Sequence, residues 1–211
     1  MRTKIDYTYI SDQLDKMYPD AHCELNYTTI FELLIAVMLS AQTTDVSVNK
    51  VTPGLFSKFN TPENLASAPL EEVENCIRTL GLYKNKSKNL IEMSKVLIEK
   101  FNGVVPMNKE ELLTLPGVGV KTASVVLIEG YKIPAFPVDT HVERISKRLG
   151  IAKKSDNAID VMNKLMKKYP KNMWGKLHHQ MIFFGRYTCI ARKPKCEECL
   201  LKEKCHEYPK L

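Results

Sequence analysis

Residues 109–130, KEELLTLPGVGVKTASVVLIEG, leave the chain little conformational choice. A short run to about Thr114 and a longer one from Val120 to Glu129 each read as helix. Leu115-Pro116-Gly117-Val118-Gly119 between them reads as a tight turn. Proline restricts its own φ, and each glycine opens the left-handed region or lets another backbone come close. Gly130 falls where a helix C-terminus takes glycine. Val125, Val126, Leu127 and Ile128 predict that the second helix is largely buried.

Such a turn aims backbone N–H groups outward at a helix N-terminus, where the dipole favours an anion. The amides of Gly117, Val118 and Gly119 are therefore candidate phosphate donors. Lys121 stands in the first turn of the second helix, the end at which the dipole disfavours an ammonium. Two readings of Lys121 stay open: a solvated surface lysine, or an amine kept available for nucleophilic attack beside a phosphate site.

No run alternates with the period of a strand, and the prolines of KIPAFPVDT break the one extended candidate, so the fold class is all-α. A weak amphipathic helix over residues 1–18 stops at Pro19. A helix from Ile30 to about Ser40 is apolar on most faces, with Thr29 and Glu32 spaced for a capping box. A polar cluster, Ser40 to Asp45, follows it and contains Gln42; the next helix runs from Asp45 to Phe56 or Phe59. In LEEVENCIRTLGLYKNKSKNLIEMSKVLIEKFNG a second helix hairpin carries Val73, Ile77 and Leu80 on its first stripe and ends that helix at Gly81. Leu82 and Tyr83 in its turn are apolar yet expected to be exposed. Lys84, Lys86 and Lys88 crowd the start of its second helix, which fits a nearby polyanion or simple solvation.

Beyond the two-proline connector, Thr140 and Glu143 fit another capping box, which puts Asp139 at the N-cap or one residue outside it. Asp139 reads as a cap or as a carboxylate held ready by the dipole. Ser155 or Asp156 is expected to cap the next helix. Trp174, Leu177, Met181 and Phe184 form the last apolar stripe.

A chain of 211 residues has material for one domain or two small ones. No apolar run approaches the roughly 20 residues needed to span a bilayer, and the N-terminus lacks the apolar region of a signal peptide. A reducing, cytoplasmic setting without membrane association is expected. In that setting the six cysteines read as thiols or metal ligands and not as disulfides. Cys189, Cys196, Cys199 and Cys205, spaced C-x6-C-x2-C-x5-C, can converge on one soft metal centre. Structural zinc favours two close pairs, and here only Cys196 and Cys199 are so spaced; an iron–sulfur cubane tolerates uneven loops. The spacing favours [4Fe–4S] over zinc. Cys23 and Cys76 fall outside this set and read as ordinary thiols. The net charge of +7 fits a nucleic-acid partner without requiring one. Arg192, Lys193 and Lys195, between the first two clustered cysteines, are placed for phosphate contacts.

LPGVGVKTA (115–123), PVDTH (137–141), LSAQTTD (39–45), LGLY (80–83) and the four-cysteine tail together resemble the endonuclease III family of helix-hairpin-helix base-excision DNA glycosylases. The resemblance runs from about residue 24 to Cys205. It implies that Lys121 is the nucleophile and Asp139 the essential carboxylate. It also implies that Gln42 fills the gap left by a flipped nucleotide, that Leu82 is an apolar wedge, and that the four cysteines hold a [4Fe–4S] cluster.

The implied architecture is two helical domains with a cleft between them. One spans residues 23–134 and carries the helix-hairpin-helix at about 109–129. The other is discontinuous, 1–22 plus 135–211, and carries the cluster at 189–205. The implied enzyme is a monomeric, cytoplasmic, nucleoid-associated DNA glycosylase and AP lyase. It removes oxidised pyrimidines from damaged double-stranded DNA through a Lys121 Schiff base and cuts 3′ to the abasic site by β-elimination. Val120 departs from the family pattern, which often has arginine there; this removes a possible phosphate contact. The alternatives are a monofunctional mismatch glycosylase, a non-enzymatic helix-hairpin-helix DNA scaffold, and an iron–sulfur electron carrier. The lysine at 121 argues against the first, and an electron carrier needs no phosphate-binding hairpin.

Overall fold

The computed structural model describes residues 5–208. Among them are eleven α-helices and no strand, in agreement with the all-α expectation. In chain order they are α1 (Tyr7–Met17), α2 (Ile30–Leu39), α3 (Asp45–Phe56), α4 (Pro62–Ala66), α5 (Leu70–Ile77), α6 (Tyr83–Phe101), α7 (Lys109–Leu112), α8 (Val120–Val125), α9 (Thr140–Arg148), α10 (Ala158–Lys168) and α11 (Trp174–Tyr187). Residues 1–4 of the expected first helix lie outside the described residues. The chain divides into two compact units, one formed by Glu24–Ile133 and the other by Met1–Cys23 with Pro134–Leu211.

In the unit Glu24–Ile133, α2 is the core element. Every residue from Phe31 to Leu39 is buried, and each large apolar side chain among them contributes about 1.5–3 kcal/mol. Thr29 Oγ1 caps the helix by accepting from Glu32 N at 3.1 Å. The expected capping box is not completed. Glu32 Oε2 accepts instead from Thr28 N and Thr28 Oγ1, both at 2.6 Å, one residue further out. That bond pair satisfies a buried carboxylate.

Around α2 pack α3, α6 and α8. The turn between α5 and α6 differs from the glycine-terminated turn expected. Leu82, not Gly81, takes the left-handed conformation, at φ +59°, and α6 starts immediately after it. The second hairpin helix is α-helical only to Val125; Val126–Gly130 widens into a π-helical turn that packs on α2. A Cβ on Gly130 would lie 3.2 Å from the side chains of Ile30 and Leu33, so the bare glycine permits that contact.

In the other unit, Trp174, Leu177, Met181 and Phe184 bury one stripe of α11, on which α1 and α9 pack. A Cβ on Gly185 would lie 2.8 Å from His141 Nδ1 and 3.0 Å from Ile145 Cδ1, which fixes how closely α9 approaches α11. Asp139 caps α9, one of the two places expected for it, while the Thr140–Glu143 box does not form, Glu143 pairing with Lys147 at 2.6 Å. The cap of α10 differs from expectation. Asn157, not Ser155 or Asp156, caps α10 in a capping box with Asp160, while Asp156 Oδ2 accepts from Lys153 N at 2.6 Å.

Candidate active site and cysteine pocket

The hairpin turn is held from inside. Leu115 and Val118 are buried, and Val118 N donates to Leu115 O at 3.1 Å. That amide closes the turn. Gly117 lies at φ +77°, and a Cβ there would meet Met38 Cε at 2.9 Å and Asn89 Cβ at 3.0 Å, so both its conformation and its packing require glycine. Gly119 is extended and forms the N-cap of α8. Gly117 and Gly119 are exposed, and among the described residues their amides have no backbone partner. Lys121, half-buried, is the second residue of α8.

Gln42 and Leu82 are both non-glycine residues in the left-handed region, at φ +55° and +59°, and both are exposed. They line one pocket together with Gly117, Met38, Asn85 and Asn89. The expected gap-filler, the expected wedge and the hairpin turn thus meet around a common concavity.

Lys86, read from sequence only as one of three crowded lysines, is buried there while Lys84 and Lys88 stay exposed. Its Nζ donates to Leu39 O at 2.8 Å and to Thr43 Oγ1 at 2.7 Å. Burial pushes its ammonium below the usual lysine range. The only sequence signal for this role is its place at i+4 from Leu82, on the inward face of an amphipathic helix.

Asp139 lies in the other unit. Its Oδ1 accepts from Val142 N at 2.8 Å, which orients the carboxylate at the start of α9. Burial holds the adjacent His141 imidazole below the usual histidine range, opposed by the charge of Asp139. The nine residues of α9 run from the Asp139 cap to Arg148, which reaches the cysteine loop. Arg144 Nη2 donates to Gly185 O at 2.9 Å and Cys189 O at 3.1 Å. Arg148 Nη1 donates to Ile190 O at 2.8 Å and to the Cys189 sulfur at 3.3 Å, and Arg148 Nη2 donates to Ala191 O at 2.9 Å. Neither arginine stands out in the sequence, because both act across more than forty residues.

Cys189, Cys196, Cys199 and Cys205 line a single pocket floored by Leu149, Phe184 and Leu201. Among the described residues no three His, Cys, Asp or Glu side chains converge to grip one metal ion. A zinc ion would draw all four sulfurs to within about 2.3 Å of a point, whereas a cubane needs one sulfur at each of four separated iron corners. Four cysteines lining one pocket match the four-thiolate donor set of a cubane. Burial first, then the neighbouring cysteines, pushes the Cys199 thiol up to about 11, with the Leu201 amide opposing. Four thiolates are stable in such a pocket only with a cationic centre to offset them. Arg192, Lys193 and Lys195 are exposed on the loop between the first two cysteines, and Lys193 is left-handed at φ +53°.

A family model described as HhH-GPD superfamily base excision DNA repair protein matches residues 35–171. The chain belongs to this family. A second model, the iron-sulfur binding domain of endonuclease III, matches residues 189–205, the span of the four cysteines. The HhH-GPD chain is similar to endonuclease III of Bacillus subtilis (strain 168), with 50% identity over 94% of this chain and 91% of that relative. Its identity with endonuclease III of Escherichia coli (strain K12) is 44%, over 96% of this chain and 95% of that relative. A solved structure of a trapped endonuclease III–DNA covalent intermediate superposes with a TM-score of 0.94 at 52% identity, covering 98% of this chain and 97% of that one. The chain accordingly carries a [4Fe–4S] cluster. Among the described residues no helix is long and apolar enough to cross a membrane.

Proposed function

We propose that Lys121 is the nucleophile and Asp139 the assisting carboxylate of this base excision DNA glycosylase and AP lyase, acting on oxidised pyrimidines such as thymine glycol in duplex DNA. The observation that carries the assignment is the relative trapped as a covalent DNA intermediate at 52% identity. A covalent intermediate needs a nucleophile, and Lys121 supplies an amine beside an anion-binding turn.

The exposed amides of Gly117 and Gly119 take a phosphate, Val118 serving the turn that presents them. Arg192, Lys193 and Lys195 add sequence-independent phosphate contacts. The damaged nucleotide leaves the stack, at least cost where pairing is already weak; Leu82 wedges the step and Gln42 fills the gap. The neutral Lys121 amine attacks C1′, and the C1′–N bond breaks with its electron pair leaving on the base. Asp139 Oδ1 is held by Val142 N, and its other oxygen offsets positive charge at C1′ or accepts the lysine proton. The nitrogen lone pair then opens the sugar, the C1′–O4′ bond breaking onto O4′, which takes a proton; the iminium so formed acidifies the C2′ hydrogen, whose loss expels the 3′ phosphate and cuts the strand. When bound, the [4Fe–4S] cluster supplies the cationic core that ties the cysteine loop together. The enzyme works as a monomer on chromosomal DNA in the cytoplasm.

The test is strand cleavage on a panel of duplexes with defined lesions. Oxidised pyrimidines and abasic sites should be cut. Lys121→Ala and Asp139→Asn should each lose base excision by orders of magnitude while still binding the duplex. Undiminished excision by Lys121→Ala overturns the assignment.

A further inference from the structure

Lys86 is the buried charge that the reaction above does not use. The packing of α6 does not call for an ammonium, since a methionine would fill the same space at lower desolvation cost. What the ammonium does is bracket Gln42. Leu39 O, at 2.8 Å, closes α2 three residues before Gln42, and Thr43 Oγ1, at 2.7 Å, follows it directly. The turn's own bonds are short-range: Thr43 N donates to Ser40 O at 3.1 Å, and Thr43 Oγ1 donates to Ala41 O at 3.4 Å.

Lys86 stands one turn after Leu82 on α6, and its backbone N makes the ordinary helical bond to Leu82 O at 3.0 Å, so the side chain fastens the Gln42 turn to the helix that Leu82 begins. Gln42 and Leu82 both hold left-handed backbone, which is strained for a non-glycine residue and persists only where the surroundings enforce it. One residue therefore bonds both left-handed turns, and all three line the same pocket.

We propose that Lys86 is a positioning residue that locks the Gln42 and Leu82 turns into one rigid unit, so that gap-filler and wedge enter the duplex together. This role presupposes Gln42 and Leu82 as the residues that enter DNA, as proposed above. Pre-organising both turns lowers the cost of extruding a nucleotide from a duplex. It contributes nothing where no nucleotide has to be extruded. An abasic site in single-stranded DNA is such a substrate.

The experiment uses full-length, cluster-loaded protein under single-turnover conditions. Two substrates are compared: thymine glycol in a duplex and an abasic site in a single strand. Loss of a buried charge-assisted bond predicts that Lys86→Met slows duplex excision about tenfold and leaves single-strand cleavage within about twofold. Lys86→Arg should recover part of the loss, and Thr43→Val, which removes one acceptor, should slow the duplex reaction in the same direction. Lys86→Met combined with Gln42→Ala should be no slower than the slower single variant.

Equal slowing on both substrates, wild-type speed of Lys86→Met, or multiplicative losses in the double variant overturns the role of Lys86. If Lys86→Met does not fold, Thr43→Val decides by the same contrast. Wild-type duplex rates for both Gln42→Ala and Leu82→Ala would remove the gap-filler and wedge themselves. Slow Gln42→Ala beside fast Lys86→Met removes Lys86 alone.

Discussion

Arg148 Nη1 lies 3.3 Å from the sulfur of Cys189 and donates to Ile190 O at 2.8 Å. The helix that carries this guanidinium at its last residue is capped at its start by Asp139. The carboxylate and the first cysteine turn are thereby fastened to the two ends of one rigid element. The cysteine loop and Asp139 thus share one helix.

Removing the Arg148 fork should release that turn. The guanidinium donates to three consecutive carbonyls, of Cys189, Ile190 and Ala191. Arg148→Met is expected to cost about 1–3 kcal/mol, because part-buried acceptors at Cys189 and Ile190 lose a charged donor. Urea unfolding measures the loss, and iron per chain should fall with it. Arg148→Lys should recover only part, since a point charge does not reproduce the fork.

Gly117→Ala should damage the hairpin twice over. The left-handed backbone costs about 1–2 kcal/mol for alanine, and the new Cβ would stand 2.9 Å from Met38 Cε. Lower stability in denaturant titration, together with weaker duplex binding, is the expected pair of results. Gly119→Ala meets open space and should be much milder in stability.

Leu82→Gly should separate stability from function. Leu82 is 58% exposed and left-handed, so glycine forfeits little burial and relieves backbone strain. Stability should stay within about 1 kcal/mol of the starting protein. Excision from duplex DNA should nevertheless slow, because the wedge is gone. A large stability loss would show that Leu82 is part of the core.

His141 should make folding stability fall in mild acid. Burial holds its imidazole below the usual range, so the unfolded chain binds the extra proton. Stability contributed by neutral His141 is present above about pH 6.5 and is lost as pH falls towards the folded value. Urea midpoints for the starting protein and His141→Asn should therefore converge on acidification. A pH-independent difference between the two would contradict this.

Local rules made much of this legible. The turn residues 115–119 announced the hairpin, and the cysteine spacing announced one metal pocket, because each depends on neighbours in sequence. Where two local rules competed, sequence could not choose: Asp139 and Thr140 both cap well, and the fold uses Asp139. The contacts of Lys86, Arg144 and Arg148 were not legible, because their partners lie over forty residues away and nothing in a lysine or arginine marks which carbonyl it will meet. Left-handed Gln42 and Leu82 were equally hidden, since backbone strain is imposed by tertiary packing and not by residue type.

The most direct measurement is covalent trapping. Borohydride is added while the cluster-loaded protein turns over a duplex containing an abasic site, and the adduct is digested and mapped by mass spectrometry. The account predicts a reduced sugar on the peptide containing Lys121, and no adduct with Lys121→Ala. An adduct on another residue, or one that survives in Lys121→Ala, would contradict it.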